Sequence, residues 1–443
     1  MFAAMQHGGT IDGAGAPLYE GKPRMAKKRI AIACQGGGTH AAFTWGVLSR
    51  ILETKQQWDA DGSGGDTFDI VAVSGTSAGA LCAMATWYGL APNTADPDCG
   101  TIGKAIERLD ALWTVFAATT PIEVAHNRIT GSLLKLKSKG VPFPGSKPDS
   151  LQGTLGLATL AMMGARPQYL EFPALLQTLC PDFASIDWQR LAAADLRVVV
   201  GAIEVISGNF EIFDSDKTLE SLGLHPNGAK IDQYNVTRWR MRRAISLEGV
   251  AASGTLPEIL PAQVVRDLAF PTCVPGKTTT RDGYYWDGLF SQNPPVRDLL
   301  DAPTKEEKPD EIWIVRINPQ EFPPTWADVG LDVIRDREND LAGNLSLNQE
   351  LDNITLINRW LNEHGDAHPP LSSRKIIDVR TIKMTRETAW SMRHTSKFDR
   401  DPAHLAALRD EGWEVTGKWL ADWRAQGRDF IAYPYDARYP ETA

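Results

Sequence analysis

The stretch FDIVAVSGTSAGALCAMATWYG, Phe68 to Gly89, changes period in its middle. Its first half, FDIVAVSG, is a short, nearly continuous apolar run ending in glycine, the pattern of a strand buried on both faces. Its second half, ALCAMATWYG, reads as an apolar helix. Between them stands Gly75-Thr76-Ser77-Ala78-Gly79. A sharp strand-to-helix turn forces its middle residue into a strained, exposed conformation and requires small residues two positions to either side. The Ser77 hydroxyl then sits at the positive end of a helix, and the Ala78 N–H is left to donate toward a developing oxyanion. A bare G-x-S-x-G arises often by chance, and a plain small-residue turn is the bland reading. The flanking strand and helix favour Ser77 as a nucleophile.

Upstream, the basic cluster Lys27, Lys28 and Arg29 precedes IAIAC, Ile30 to Cys34, a second buried strand. AAFTWGVLSRILETK, Ala41 to Lys55, follows at helical spacing. Strand, helix, strand and helix in succession predict an α/β fold. Downstream, AIERLDALWTVFAA (Ala105 to Ala118) is helical in period. The pattern loosens over about 121–173, which is expected to be an insertion over one face of the sheet. Within it LGLATLAMMGA, Leu155 to Ala165, reads either as an apolar lid or acyl channel, or as a plain core helix. LRVVVGAIEVISGNFEIFD predicts two strands around a Ser207-Gly208-Asn209 turn. RWRMRRAISLEGVAAS favours helix, Pro-rich turns follow, and EIWIVRINP (Glu311 to Pro319) is a further buried strand. Two long helices, roughly Ala327 to Glu363 and His404 to Arg424, are expected around the strand IIDVRTIKM. The expected organisation is a flexible Gly-rich arm over 1–27, an α/β unit over 28–320 and a mainly helical C-terminal extension over 321–443.

Gly36-Gly37-Gly38 follows the first strand and admits two readings. Gly36-Gly37-Gly38-Thr39-His40-Ala41 matches the dinucleotide fingerprint G-x-G-x-x-A, but the next strand ends in Val73-Ser74-Gly75 and supplies no acidic residue for a ribose. Alternatively, successive glycine N–H groups form an oxyanion hole, where one well-placed donor contributes about 3 kcal/mol in the transition state. If the strands before Gly36 and Ser77 are parallel neighbours, both loops open on the carboxyl edge of the sheet, where ligands bind. A base is also needed. The late histidines His364, His368, His394 and His404 lie in polar surroundings, none at the end of a core strand, and read as surface residues. Asp287, in Tyr284-Tyr285-Trp286-Asp287-Gly288, is the better candidate, because packing against aromatic rings raises a carboxyl pKa toward that of a useful base. Asp282-Gly283, five residues earlier, reads as an exposed turn.

The three elements in this order resemble the patatin-like phospholipase family: the loop Gly36-Gly37-Gly38-Thr39-His40-Ala41, the elbow Gly75-Thr76-Ser77-Ala78-Gly79, and Asp287-Gly288-Leu289. AASGTLPEILP (Ala251 to Pro261) and Gln292-Asn293-Pro294-Pro295 are similar to further family segments, so the likeness runs from about Lys28 to Pro319. The resemblance implies a three-layer α/β/α fold with a mainly parallel central sheet. It also implies a Ser77–Asp287 dyad acting without histidine, oxyanion donors among Gly36, Gly37, Gly38 and Ala78, and supporting roles for Gly75, Gly79, Gly288 and His40. The activity implied is hydrolysis of lipid esters with no metal or cofactor. Two positions depart from the pattern. His40 and Ala41 stand where the family usually has a cation and a glycine, and Leu289 replaces a small residue.

With 443 residues, 43% hydrophobic and 23% charged, the chain has ample material for a core. A net charge of −9 gives no general attraction to nucleic acid, and lipid contact would have to be mainly apolar. Five scattered cysteines with no C-x-x-C pair suggest reduced thiols. No apolar run reaches the roughly 18 residues of a membrane span. The expected setting is cytoplasmic, with peripheral membrane contact allowed and a lipid or ester as the partner. Competing functions are a dinucleotide-binding protein, a catalytically inactive regulatory protein on the same fold, and an esterase or polyester depolymerase.

Overall fold

A computed structural model describes residues 27–62, 67–141, 151–216, 241–257, 260–271, 278–300, 302, 304–322, 330–365 and 371–427. Residues 1–26 of the expected arm over 1–27, along with His368 and Cys273, lie outside the described residues. The apolar runs of the sequence form the middle of one sheet. β1 (Lys28–Cys34), β2 (Phe68–Gly75), β3 (Arg197–Glu204) and β8 (Glu311–Arg316) are buried along almost their whole length. With β4 (Phe210–Asp214), β5 (Met241–Ala244) and β9 (Asp378–Lys383) they follow the order β5-β4-β3-β2-β1-β8-β9. The central pairs β1–β2, β1–β8, β2–β3 and β8–β9 are parallel. A hairpin of β6 (Gln263–Pro271) and β7 (Thr278–Asp287) joins antiparallel to β3.

Period-two alternation sorts the strand residues onto two faces. Ile30, Ile32, Cys34, Trp313 and Val315 face one core, with helices α1 (Ala42–Ala60), α2 (Ala78–Leu90), α3 (Ile102–Phe116) and the helix Pro402–Gln426. Ala31, Ala33, Ile312 and Ile314 face the other, against Leu347, Leu351 and Ile354 of the helix Leu331–His364. The fold is the three-layer α/β/α arrangement expected. Among the described residues, the cysteines Cys34, Cys82, Cys99 and Cys180 are buried and free.

Three expectations are corrected. The helix-favouring run around Met241 is in part strand β5, because strand geometry delivers Arg242 to Asp214 (2.6 Å) and Arg243 to Glu211 (2.8 Å) on β4. Asp282-Gly283 is no exposed turn but lies inside β7, and Asp282 accepts a hydrogen bond from the Asp267 N–H. LGLATLAMMGA is no core helix. It falls mostly on α5 (Leu151–Met162), which leaves Leu155, Leu157 and, beyond its end, Met163 exposed, with Met162 89% accessible. No helix among the described residues is long and apolar enough to cross a membrane.

Candidate active site

Register builds the site. Cys34 pairs with Gly75, so β1 and β2 end level and the loops after them leave side by side. Gly75 pairs in turn with Val200 on β3, and Ala202, two residues on, pairs with Asp287. The end of β7 is thereby brought across β3 to the elbow.

At the elbow Ser77 has φ 57 and ψ −133, a left-handed conformation that side chains rarely adopt. The turn closes only because its flanks are small: a Cβ on Gly79 would sit 2.4 Å from the Cys34 carbonyl oxygen. The Ser77 N–H is held by both the carbonyl and the hydroxyl of Ser253, each at 3.1 Å. The Ser253 hydroxyl donates to Gly201 O at 2.6 Å. Ala78 and Gly79 open α2, and the first N–H groups of a helix have no acceptor within it.

Asp287 is fully buried. Its N–H donates to Thr255 O at 2.8 Å, and its Oδ1 accepts from Leu289 N–H at 2.8 Å. Burial pushes its carboxyl up to about 7, while the Ser77 hydroxyl and the Leu289 N–H pull it down. The Ser77 hydroxyl is thus near enough to act on the carboxylate, yet the pair falls short of good hydrogen-bond geometry, and Oδ2 has no partner among the described residues. Burial supplies the raising expected of Asp287. Tyr285 is buried and donates to Glu211 at 2.5 Å, whereas Tyr284 is exposed. Leu289 does not disturb the turn, since its backbone serves Asp287 and its Cδ1 would lie 3.4 Å from a Cβ on Gly343 of the 331–364 helix.

The glycine loop requires one correction. Gly36 is unavailable as an oxyanion donor, because its N–H donates to Asn293 Oδ1 at 2.6 Å. Its importance is steric: a Cβ there would lie 2.7 Å from that of Ser77. His40 lies in the short 3-10 turn Gly38–Ala41 that leads into α1, and its Nε2 meets Ser396 Oγ at 2.8 Å. Burial, followed by the charges of Lys397, His404 and His394, holds its pKa well below the usual histidine range. Among the late histidines, His364 is exposed, while His394 and His404 are half-buried. The residues that sequence reading missed are amides and hydroxyls at distant positions: Gln35, Ser253, Thr255, Asn293 and Asn318. Only the AASGT and Gln-Asn-Pro-Pro segments had drawn notice. No His, Cys, Asp and Glu cluster among the described residues could hold a metal ion.

Residues 32–300 match the patatin-like phospholipase family over more than half of the chain. The chain belongs to that family. Among solved structures it is similar to VipD from Legionella pneumophila, at 12% identity and TM-score 0.34, over 89% of this chain and 67% of that one. It is also similar to the ExoU–SpcU complex of the type III secretion system of Pseudomonas aeruginosa, at 14% identity and TM-score 0.27, over 92% of this chain and 61% of that one. No curated protein matches the chain. Family membership makes a lipid acyl hydrolase the general class of this fold.

Proposed function

We propose that this chain is a serine-dependent lipid acyl hydrolase working through a Ser77–Asp287 dyad. Asp287 takes the hydroxyl proton as Ser77 Oγ attacks an ester carbonyl. The oxyanion is held by the N–H groups of Gly37, Gly38 and Ala78. The alcohol leaves with the proton from Asp287, and an acyl-enzyme remains. Water, deprotonated by the same carboxylate, then attacks the acyl carbon, and the fatty acid leaves as Asp287 returns the proton to Ser77 Oγ. One observation carries this reading: a strained serine stands beside a buried carboxyl pushed up to about 7, with one oxygen unpartnered. A solvated aspartate near 3.9 would be a poor base for serine.

The catalytic unit is assigned to 28–320 with its insertion at about 121–173, and 321–443 to an extension whose described helices Leu331–His364 and Pro402–Gln426 pack on it. Contact with an anionic lipid surface is supported by α4 (Pro121–Ser138). Its Ile129, Leu133 and Leu136 form an exposed stripe at helical spacing, with Lys135, Lys137 and Lys139 exposed alongside. The 331–364 helix adds exposed Leu331, Ile334, Leu341 and Leu345, and Phe290 is exposed three residues after Asp287. The dinucleotide alternative loses the Gly36 amide to Asn293. The inactive alternative is weakened because Leu289 supports the Asp287 turn.

A fluorophosphonate probe tests the reading. Wild-type protein is expected to be labelled and Ser77→Ala is not, while Asp287→Asn loses roughly 10²–10⁴-fold in turnover of acyl esters. Unlabelled wild type, or full activity in Asp287→Asn, would overturn it. Products from mixed lipids and short esters separate a lipase from an esterase or polyester depolymerase.

A further inference from the structure

The glycine loop carries no charge of its own, since His40 is buried and held neutral. A cation nevertheless reaches it from far along the chain. Lys397 lies against Gly38 so closely that a Cβ there would meet the Lys397 carbonyl oxygen at 2.2 Å. Its buried ammonium donates to Asn318 Oδ1 at 2.8 Å and Asn339 Oδ1 at 2.6 Å, and lies 3.7 Å from Asp340. Burial lowers the Lys397 pKa, and the carboxylates of Asp340 and Asp336 work against that.

An ammonium can only donate, so Asn318 must turn its oxygen toward Lys397 and its nitrogen away. That nitrogen donates to Gly36 O at 3.0 Å, where Asn293 Nδ2 adds a second, longer contact at 3.4 Å. The Gly36 carbonyl and the Gly37 N–H are the two ends of one peptide unit. Drawing electron density toward the carbonyl oxygen makes that N–H a stronger donor, as hydrogen bonds in a chain polarise one another. The Gly37 N–H is one of the groups assigned above to the oxyanion.

We propose that Lys397 is a positioning residue of the oxyanion loop, its charge relayed through the Asn318 amide and the Gly36–Gly37 peptide to the Gly37 N–H. The inference rests on the reading of Ser77 as nucleophile. Its benefit belongs to the charged transition state rather than to the bound ester, so it moves kcat and leaves KM alone. Arg316 and the amides of Asn344 and Gln35 hold the neighbouring segment in place: Gln35 Oε1 accepts from Ile317 and Asn318 N–H at 3.0 and 2.9 Å. Loss of the Lys397 charge therefore need not release the loop.

The test compares wild type, Lys397→Met, Lys397→Arg, Asn318→Leu and the double variant Lys397→Met/Asn318→Leu. It measures kcat and KM on a monomeric dispersed acyl ester, and inhibition by a long-chain trifluoromethyl ketone, whose serine adduct carries the oxyanion. Lys397→Met is expected to lower kcat roughly tenfold and weaken the ketone by a similar factor, with KM unchanged. Lys397→Arg recovers most of that loss, and the double variant is no slower than Asn318→Leu alone. A purely structural lysine would instead raise KM or lower the labelled fraction, and its effects would multiply with those of Asn318→Leu. Either that pattern or an undiminished kcat in Lys397→Met overturns the proposal. If Lys397→Met fails to fold, undiminished kcat and ketone binding in Asn318→Leu overturn it equally. Absence of Ser77-dependent fluorophosphonate label on wild type would sink the nucleophile reading itself, whereas label with unaltered variants sinks only the relay.

Discussion

At Asp287, the base proposed for Ser77, one titration would set both rate and stability. Its carboxyl is raised from 3.8 to about 7, first by burial. As a base it must be ionised, so kcat/KM is expected to rise with pH through an inflection near 7; a flat profile between pH 5.5 and 8 would contradict the role. The linkage runs the other way for folding. A raised folded pKa means stability that is complete below 3.8 and lost as pH rises through about 7. Asp287→Asn removes that loss and can still accept the Leu289 N–H. The variant should therefore be more stable at pH 8 by up to about 4 kcal/mol, a gain that shrinks as the pH falls toward 4, measured by urea unfolding. His40 makes a contrasting case. It stands where the family usually has a cation, but burial against Ser396, Lys397 and two other histidines leaves it neutral.

Among the elements, α4 and α5 stand apart from the core helices. α4 begins with a capping box, Thr120 and Glu123, and Glu123 is also gripped by Arg166 at 2.9 Å. Its start is thus anchored, while its second half turns leucines and lysines to solvent. A side chain fully removed from water contributes about 1.5–3 kcal/mol. Leu133→Ser combined with Leu136→Ser is therefore expected to reduce hydrolysis of anionic vesicles roughly tenfold or more while sparing a monomeric ester. Equal losses on both substrates would show that the stripe serves the fold rather than a lipid surface. The period of this helix was harder to read than that of α1 or α2, because an exposed apolar stripe and a buried one look alike in sequence.

Over the whole molecule, the helix Pro402–Gln426 closes the layer beneath the site. It crosses α1 at two glycines: a Cβ on Gly46 would lie 1.9 Å from Arg409 O, and one on Gly412 would lie 2.2 Å from Phe43 O. Trp423 stacks on Trp58 at the other end of the contact, 6.1 Å between rings, and donates to buried Glu311 at 2.9 Å. Gly46→Ala should force these backbones apart and cost about 1–3 kcal/mol. Gly131→Ala, on α4 with open space around it, should gain about 0.5–1 kcal/mol. Thermal melts of the two variants check the contrast, and equal shifts would mean that the crossing is looser than drawn.

The order of the central strands and helices and the sharp turn at Ser77 were legible in the sequence, because each is written in a short window: a buried run, a change of period, small residues around a turn. Long-range pairing decided the rest. β5 became strand because Arg242 and Arg243 found carboxylates on β4. Gly36 lost its free amide to Asn293, 257 positions away, and the loop's charge came from Lys397 rather than from His40. Local propensity reports what a segment can do alone. Which donor meets which acceptor is settled only when register and packing bring distant residues into one dry space, where an unmatched polar group costs too much to leave alone.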